Sequence, residues 1–405
     1  MRNVSFALAI GFLLVACGGG EENQAPKTPA TPPATTAAPT AAAPETPKEE
    51  AKPKETAAEL QQKTLKGYIE ATNAHDAKKL SGFFTEGGVV KIAGAPADAS
   101  GREAIAQNYQ KLFDAFSDYK VAPSRVFVKG DVAVVEWAFN ATHTGDLWGI
   151  KATEKKVGAQ GVDVLWFTPE GHIKEQHVYY DGATILSQIG LSKQKARAIP
   201  TLPASPQVVT STGAPEETKN VEVAKAMTTA FDAKKEADWL ATVSDNIEWD
   251  DATQPQASKG KAEAKKFFKE MTTAFPDTKT SVTNTWAFGD IVITESSWSG
   301  THKGTFFGIP ATKKSVTVKG IDIAQYKDGK VAKGWSYSNG ADFLQQLGVI
   351  PAPGAAKPGD KKAADAKAAP AGDAKAADKK AAPAADAKKP APAGDAKAAP
   401  APAKK

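Results

Sequence analysis

Three residues near the end of one predicted strand could together transfer a proton. His177, Tyr179 and Asp181 are spaced two apart, and alternate residues of a strand point to the same side of its sheet. An imidazole, a phenol and a carboxyl group are the usual groups of general acid–base catalysis. An Asp among apolar walls holds its proton more tightly, because burial disfavours the charged form. If this face lines a cavity, the sequence predicts an acid–base site there.

Asp181 also has a purely structural interpretation. It precedes the apolar run 183–186, and an Asp at such a place caps the first turn of a helix. In a second, related segment the matching strand face carries Trp335, Tyr337 and Asn339. Asn caps a helix equally well but cannot exchange a proton. Capping, catalysis and hydrogen bonding to a ligand therefore all stay open for Asp181.

Two histidines occupy the same place in both segments. His143 and His302 each stand in a Thr-His-x-Gly motif. Neither has companions at ligand spacing, and a metal site needs three or four ligands. We therefore predict neither a metal nor a cofactor. We expect the histidines to shape the strand ends beside a hairpin, at the rim of a pocket.

Four carboxyl groups are also shared by the two segments. Glu136 and Glu295 lie mid-strand among apolar neighbours, and Asp163 and Asp322 lie in the following strand. Such a residue is a buried, chemically interesting carboxyl group if it points inward, and unremarkable if it points outward. The sequence alone does not choose between these orientations.

The repeated segment defines the domain organisation. Residues 142–153 read THTGDLWGIKAT, and residues 301–312, 159 positions later, read THKGTFFGIPAT. From residue 101 to residue 167 the two copies align without a gap, with 19 identities in 67 positions. A repeat of this length indicates a duplicated domain. The sequence predicts domain 1 over 58–191 and domain 2 over 217–350.

Each domain shows the same order of elements. Apolar spacing of 3.6 residues predicts three helices, the first over Thr56–Asn73 in domain 1, followed by a short one that includes Leu80 and Phe84. The period then changes to two, which predicts strands. In domain 1 the predicted strands are Val126–Val128, Val132–Asn140, Lys156–Phe167 and Ile173–Tyr180. This order indicates an α+β fold with the helices packed on one face of a curved antiparallel sheet.

Several motifs shared by the domains carry a family resemblance. They are Ala-Phe-x-Asp at the end of the third helix, Thr-His-x-Gly-x-x-x-Gly-Ile-x-Ala-Thr, and Gly-(Val/Ile)-Asp-(Val/Ile). Together they resemble SnoaL-like polyketide cyclases of the nuclear-transport-factor-2-like superfamily, over about two thirds of the chain. The resemblance implies two tandem cones, each a bent antiparallel sheet around three helices, open at one end onto an apolar pocket.

The resemblance also implies roles for single residues. In the family, the Asp of the last strand is the general acid–base of an intramolecular aldol closure, and Asp181 and Asn339 hold that position here. The family commonly has His-Trp just before it, whereas domain 1 has Gln176-His177. With His177 and Tyr179 as catalytic candidates beside Asp181, the further pocket candidates are His143, Glu136, His302, Glu295, Trp335, Tyr337 and Asn339.

The chain begins with a predicted export signal. Residues 1–16 combine Arg2, an apolar run too short to span a bilayer, and small residues before a cleavage point. Leu-Val-Ala-Cys resembles the lipobox of bacterial lipoproteins. We therefore expect a lipid on Cys17, a membrane as partner, and a place in the bacterial cell envelope at the outer membrane. Cys17 is the only cysteine, so the fold contains no disulfide.

Three segments outside the domains are rich in Pro, Thr, Ala or Lys and poor in large apolar residues. They are predicted to be a disordered spacer over 17–57, a semi-rigid linker over 192–216 and a disordered tail over 351–405. The tail carries twelve Lys and six Asp. Its net charge of +6 (12 − 6) exceeds the net charge of +5 of the whole chain. The domains are thus nearly neutral, without a basic patch, and we exclude nucleic acid as a partner.

Two functions from different classes remain. The first is a lipid-anchored binding protein that holds a small apolar or polycyclic molecule in a cone, or serves as a structural module. The second is a cyclase or isomerase that uses Asp181 with His177 or Tyr179, while domain 2 is not catalytic. We favour the first, because domain 2 lacks the acid at Asn339. Cones of this family often dimerise, so tandem copies predict an intramolecular pseudo-dimer.

Overall fold

The computed structural model of the protein describes residues 55–192 and 195–351. The predicted signal peptide, Cys17, most of the spacer and nearly all of the tail lie outside these residues. Within the described ranges, no helix is long and apolar enough to cross a membrane.

Side-chain caps fix where the first helices of domain 1 begin. The Thr56 hydroxyl accepts a hydrogen bond from the Glu59 amide, and the Glu59 carboxylate accepts one from the Thr56 amide, which is a capping box. The Asp76 carboxylate caps the second helix by accepting a hydrogen bond from the Lys79 amide. The elements of domain 1 are α1 (Ala57–Asn73), α2 (Ala77–Ser81), β1 (Phe84–Ile92), β2 (Ala99–Ser100), α3 (Arg102–Ala115), β3 (Lys120–Lys129), β4 (Val132–Thr142), β5 (Lys156–Phe167), β6 (Ile173–Tyr180) and α4 (Gly182–Gln188).

Domain 2 repeats this order after a short strand from the predicted linker, β7 (Gln207–Thr210). Its first helix starts at Pro215, whose fixed φ and missing amide hydrogen suit the first helical position. The elements of domain 2 are α5 (Pro215–Asp232), α6 (Glu236–Ala241), β8 (Val243–Asp251), β9 (Ser258–Lys259), α7 (Lys261–Ala274), β10 (Lys279–Phe288), β11 (Ile291–Thr301), β12 (Ser315–Lys327), β13 (Lys330–Ser338) and α8 (Gly340–Gln346).

The strands form one sheet in each domain. The order is β2-β1-β6-β5-β4-β3-β7 in domain 1 and β10-β11-β12-β13-β8-β9 in domain 2. Most pairs are antiparallel, but β1 runs parallel to β6, β8 parallel to β13, and β7 parallel to β3. The predicted α+β class with two tandem domains is confirmed.

The sequence pattern missed some strands. Phe84 begins β1 rather than lying in the second helix, which ends at Ser81. Strand β1 contains Gly87 and Gly88 and shifts its register against β6 between Phe84 and Val89, so its residues do not alternate regularly. Strand β3 extends over Lys120–Lys129, well beyond the predicted core of three residues, because its first half is only partly buried and contains Pro123, a residue that argues against a strand.

The two faces of the domain 1 sheet have different partners. Along β4, Val135, Trp137 and Phe139 point inward and pack against the helices. The alternate residues Val132 and Val134 point outward and pack against domain 2. A sheet that is covered on both faces explains why β4 is almost continuously apolar and buried.

The outer faces of the two sheets share one apolar cluster. It includes Phe127 and Val164 of domain 1 with Phe288, Ile293 and Ile323 of domain 2. The rings of Phe127 and Phe288 lie 5.3 Å apart, centroid to centroid. Each fully buried side chain of this size contributes about 1.5–3 kcal/mol, so this contact strongly favours joint folding of the domains.

Candidate functional site

A cavity of about 790 Å³ opens inside the cone of domain 1. Its walls are mostly apolar and aromatic, and they come from α1, α3 and the inner face of the sheet. Among the residues that form these walls are Leu65, Ile69, Leu112, Phe116, Val135, Phe139, Leu165, Val178 and Ile185. A cavity of this size with largely apolar and aromatic walls is typical of small-molecule sites.

One buried carboxyl group, Asp163, reaches this cavity from β5. One of its oxygens accepts a hydrogen bond from the Trp137 indole nitrogen at 2.9 Å, and the other accepts one from the Gln176 amide nitrogen at 2.8 Å. Burial raises the pKa of Asp163 from 3.8 to about 7, although both hydrogen bonds oppose the shift. A carboxyl group with a pKa near neutrality can both donate and accept a proton under physiological conditions.

Two phenols extend this polar network. Tyr68 and Tyr109 lie within hydrogen-bond distance of each other, at 2.5 Å between their oxygens. Gln176 donates to the Tyr68 oxygen at 3.0 Å and accepts from Tyr109 at 3.2 Å. Burial raises the pKa of both phenols, so both stay neutral. Gln176 therefore connects two neutral phenols to the Asp163 carboxyl group.

The structure corrects the prediction for His177 and Tyr179. Both point to the outer face of the sheet, and Glu295 of domain 2 contacts the His177 Nδ1 atom at 2.5 Å and the Tyr179 hydroxyl at 2.5 Å. Neither forms part of the cavity wall. The other face of β6, which carries Gln176, Val178 and Tyr180, is the inner one. The period of two was correct, but the face was assigned wrongly.

Asp181 lies at the N-terminus of α4 and is almost completely buried. Its carboxylate accepts hydrogen bonds from the Ala183 amide at 3.1 Å and the Thr184 amide at 2.8 Å, as an N-cap does. It also accepts one from the Gly340 amide of domain 2 at 2.9 Å. All these partners belong to the backbone or to Thr184, and Asp181 does not form part of the cavity wall.

Glu136, Glu295, Trp335 and Tyr337 also lie between the domains, not in the cavity. Glu136 forms a two-point ion pair with Arg125 and accepts a hydrogen bond from Tyr337. The Arg125 guanidinium carbon lies 3.9 Å above the centre of the Trp335 ring, as in a cation–π contact. Both glutamates point outward and lie at the interface between the domains. The prediction that they line a pocket is therefore wrong.

His143 and His302 are completely buried beside the hairpin loops. Their Nδ1 atoms lie 3.0 and 3.1 Å from the hydroxyls of Thr153 and Thr312, and the His302 ring stacks on Phe275 at 5.1 Å. Neither histidine belongs to the cavity wall. They hold the strand ends, as expected, but the expected position at the pocket rim is wrong.

Asn339 is the one predicted pocket candidate that reaches the cavity. It caps α8 through the Ala341 amide and accepts a hydrogen bond from the Gly182 amide at 3.3 Å. Its side-chain nitrogen donates to the Ala93 carbonyl at 3.0 Å. Asn339 thus joins the mouth of domain 1 to the last helix of domain 2.

Sequence reasoning left the central residue, Asp163, undecided and did not single out Tyr68, Tyr109, Trp137 or Gln176. A signal for them existed in the comparison of the two copies. Aligned residues in domain 2 are Met227, Phe268, Ser296 and Gly334, so every hydrogen-bonding side chain around Asp163 is replaced at once.

Domain 2 has a different interior around the matching carboxyl group, Asp322. Ser336 donates to Asp322 at 2.6 Å, and the Trp249 indole nitrogen donates to Ser336 at 2.8 Å. The Trp249 ring lies directly over Gly334, in the place where domain 1 has the Gln176 side chain. Burial raises the pKa of Asp322 to about 6.

Comparison with known proteins identifies the class that this fold and cavity define. The model of the SnoaL-like polyketide cyclase family matches residues 62–189 and 221–347, one match in each domain. These matches cover more than half of the chain. The chain therefore belongs to the SnoaL-like polyketide cyclase family, and its two sheets with their helices are two domains of that family in tandem.

Solved structures similar to this chain each cover about a third of it. A candidate SnoaL-like polyketide cyclase from Jannaschia sp. CCS1 is 22% identical, with a TM-score of 0.32 over 34% of this chain and 97% of its own. TsrD from Streptomyces laurentii is 18% identical, with a TM-score of 0.31 over 34% of this chain and 100% of its own. An LEH-like epoxide hydrolase from M. tuberculosis is 15% identical, with a TM-score of 0.29 over 33% of this chain and 92% of its own.

No curated protein matches the chain. Across the part of the chain that the structure describes, no group of three or more His, Cys, Asp and Glu side chains is arranged to hold a metal ion.

Proposed function

We propose that domain 1 binds a small apolar or polycyclic molecule, and that Asp163 contacts a polar group of that molecule. The observation that carries this proposal is the cavity of about 790 Å³, which has one buried carboxyl group among apolar walls. The aromatic rings of Trp137 and Phe139 offer flat surfaces to a ring system, and such contacts favour aromatic ligands. A hydroxyl or carbonyl group of the ligand then fits beside Asp163.

In this proposal domain 2 holds no ligand in its own interior and forms an intramolecular pseudo-dimer with domain 1. Equivalent residues make reciprocal contacts, since Tyr179 donates to Glu295 and Tyr337 donates to Glu136. The two helix caps are reciprocal as well, because Asp181 accepts from Gly340 and Asn339 accepts from Gly182. Such pairing is what a two-fold symmetric homodimer of single domains would show.

We also propose that the whole protein is attached to the bacterial cell envelope through a lipid on Cys17, at the outer membrane. The sequence around Cys17 supports this location. Expression of the Cys17→Ser variant in a diderm bacterium tests it. We expect the wild type in the membrane fraction and the variant in the soluble fraction, and equal fractionation of the two would contradict the lipid anchor.

Binding is tested with a neutral tricyclic probe, anthracene-9-methanol, followed by its fluorescence. The Leu112→Trp variant fills the cavity, because Leu112 lies in its wall. We expect this variant to bind the probe at least tenfold more weakly, because keeping about 60 Å² of apolar probe surface out of the cavity costs about 1.5 kcal/mol. The matched control is Leu191→Trp, since Leu191 is 57% exposed and outside the wall. Equal affinity of both folded variants would exclude the cavity as the site.

A second candidate function is proton transfer, as in a cyclase or isomerase. The observation that favours it is Asp163, whose pKa of about 7 suits a general acid–base inside an apolar cavity. The test measures exchange of the α-protons of 2-tetralone, a bicyclic ketone, for deuterium by NMR. We expect Asp163→Asn to lower the exchange rate about 100-fold, and Asp181→Asn to leave it nearly unchanged.

The two variants separate the remaining interpretations of catalysis. If Asp181→Asn abolishes exchange and Asp163→Asn does not, the acid–base is Asp181, as the family resemblance implied. If the wild type gives no exchange above buffer, proton transfer is rejected for this ketone class and the binding function stands alone.

A further inference from the structure

Domain 2 supplies one side of the mouth of the domain 1 cavity. Asn339, Ala341, Asp342 and Gln345, at the start of α8 and along it, form part of the cavity wall. They face the loop of domain 1 that follows β1, which includes Gly94. The binding site is therefore built from both domains, although the cone itself belongs to domain 1.

The contact between this helix and domain 1 is close and specific. A Cβ atom at Gly94 would lie 2.7 Å from the Asp342 Cβ atom and 2.8 Å from the Asn339 side-chain nitrogen. Gly94 also has a φ of +82°, which favours glycine. With the reciprocal caps between Asp181 and Gly340, these contacts hold α8 at a fixed place over the mouth.

The charged residues of the wall are mostly acidic. Lys111 is the cation among them, and the carboxylates near the mouth are Asp114, Asp146 and Asp342. Asp146 is paired with Lys151, at 3.3 Å. Asp163 lies deep in the cavity within its hydrogen-bond network. An entering ligand thus meets a field of negative sign at the mouth, which attracts cations and repels anions.

Asp342 is the contribution of domain 2 to this field. Its carboxylate accepts a hydrogen bond from the Gln346 side chain at 2.8 Å. The Lys319 ammonium attracts this carboxylate and lowers its pKa, but no cation forms a salt bridge with it among residues 55–192 and 195–351. Burial raises the pKa of Asp342. A cationic group beside Asp342 would favour the ionised carboxylate, and the half-buried carboxylate would in turn attract the cation.

We infer that domain 2 completes the ligand site of domain 1, and that Asp342 selects apolar ligands carrying a cationic group over those carrying an anionic one. This inference rests on the proposed binding function and deepens it, because it names the ligand class: an aromatic or alicyclic amine. The apolar body of the ligand lies in the cone, and its ammonium or protonated ring nitrogen lies at the mouth near α8.

Three tricyclic probes of nearly equal size test the inference on the full-length protein. They are 9-aminoacridine, which is cationic at neutral pH, anthracene-9-carboxylate, which is anionic, and the neutral anthracene-9-methanol. Their dissociation constants are measured by fluorescence titration at low salt. We expect the wild type to bind the cation at least about tenfold more tightly than the anion, as opposite effects of a partly buried charge on the two probes predict.

The Asp342→Asn variant keeps the shape and the hydrogen-bond acceptor but removes the charge. We expect it to lower the cation-to-anion preference about fivefold, and to change the affinity for the neutral probe by less than about twofold. Glu263→Gln on α7 is the matched control, because Glu263 is an exposed helical carboxylate of domain 2 outside the wall. It should leave all three affinities unchanged.

The outcomes distinguish the inference from the function on which it rests. Failure of all three probes to bind overturns the proposed binding function. Binding of the neutral probe without a preference for the cation, or with a preference that Asp342→Asn leaves unchanged, overturns the inference alone. If Glu263→Gln lowers the cation-to-anion preference as much as Asp342→Asn does, the preference arises from the charge of the whole domain and not from a contact at α8. This result would also overturn the inference.

Discussion

Domain 1 and domain 2 each place one indole ring over a glycine of the sheet, but on different strands. In domain 1, Trp137 of β4 lies over Gly161 of β5 and donates directly to Asp163. In domain 2, Trp249 of β8 lies over Gly334 of β13 and reaches the matching carboxyl group only through a serine. The first arrangement leaves Asp163 facing an open cavity, whereas the second puts a ring where domain 1 has Gln176.

This difference shows that the two copies of a duplicated domain can keep the same outer contacts while their interiors diverge. The outer faces, which join the domains, keep equivalent partners such as Tyr179 and Tyr337. The inner faces have diverged, since the network around Asp163 is replaced as a set in domain 2. The interface therefore needs both copies, while the cone around Asp163 is formed by the interior of domain 1 and only its mouth is completed by domain 2.

The largest expected effect concerns the pH dependence of stability through Asp163. The folded state holds its proton up to a pH of about 7, but the unfolded state releases it near 3.8. The contribution of Asp163 to the free energy of unfolding is therefore largest below pH 3.8. As the pH rises through about 7, this contribution is lost, by up to about 4 kcal/mol. The free energy of unfolding, measured with urea, should fall less between pH 4.5 and pH 8 for Asp163→Asn than for the wild type.

Asp322→Asn is the matched variant in domain 2. Since the pKa of Asp322 is raised only to about 6, its effect should amount to about 2–3 kcal/mol and should be complete at a lower pH. If both variants keep the full pH dependence of the wild type, the two aspartates are not the buried acids that the interiors indicate.

The next effect tests the position of the indole ring in domain 2. A Cβ atom at Gly334 collides with the Trp249 ring, which is held by its hydrogen bond to Ser336. We expect Gly334→Ala to lower the free energy of unfolding by about 2–3 kcal/mol, as overpacking of a core does. Gly87→Ala in β1 is the control, because nothing lies within 4 Å of its added Cβ. Equal urea midpoints for the two variants would refute the close packing of the Trp249 ring on Gly334.

A smaller effect is expected for the caps that join α4 and α8. Asp181→Ala removes the acceptor of the Thr184 and Gly340 amides, and should cost about 2 kcal/mol of stability. Asp181→Asn keeps a capping oxygen and should cost less than about 1 kcal/mol. Thermal unfolding of the two variants measures this difference, and a larger loss for the Asn variant would mean that the charge, not the cap, matters.

The smallest effect belongs to the reciprocal phenols of the interface. Tyr179→Phe and Tyr337→Phe each remove one hydrogen bond to a glutamate that keeps other partners, Asn284 in one case and Arg125 in the other. Each variant should lose about 1 kcal/mol, and the losses should be similar because the contacts are equivalent. A loss in only one variant, measured by urea unfolding, would show that the two halves of the interface are not equivalent.

Much of the fold could be predicted from the sequence because it depends on local periodicity. The strands β4, β5 and β6 have regular alternation, and they were placed within two residues of their observed ends. Strand β1 was missed, since its glycines and its irregular register remove the pattern. Strand β7 consists of four residues that gain strand geometry only by pairing with β3.

The candidate site depended on information of another kind. The sequence by itself determined the duplication, the family, and the fact that His177 and Tyr179 share one face while Gln176 and Val178 share the other. Only the tertiary structure decided which face lies inside the cone, because both faces of this sheet are covered and both carry apolar and polar residues. Hydrophobic alternation distinguishes core from solvent, and cannot distinguish one buried face from another. For this reason the acid of the site is Asp163, whose orientation was open, and the glutamates belong to the interface between the domains.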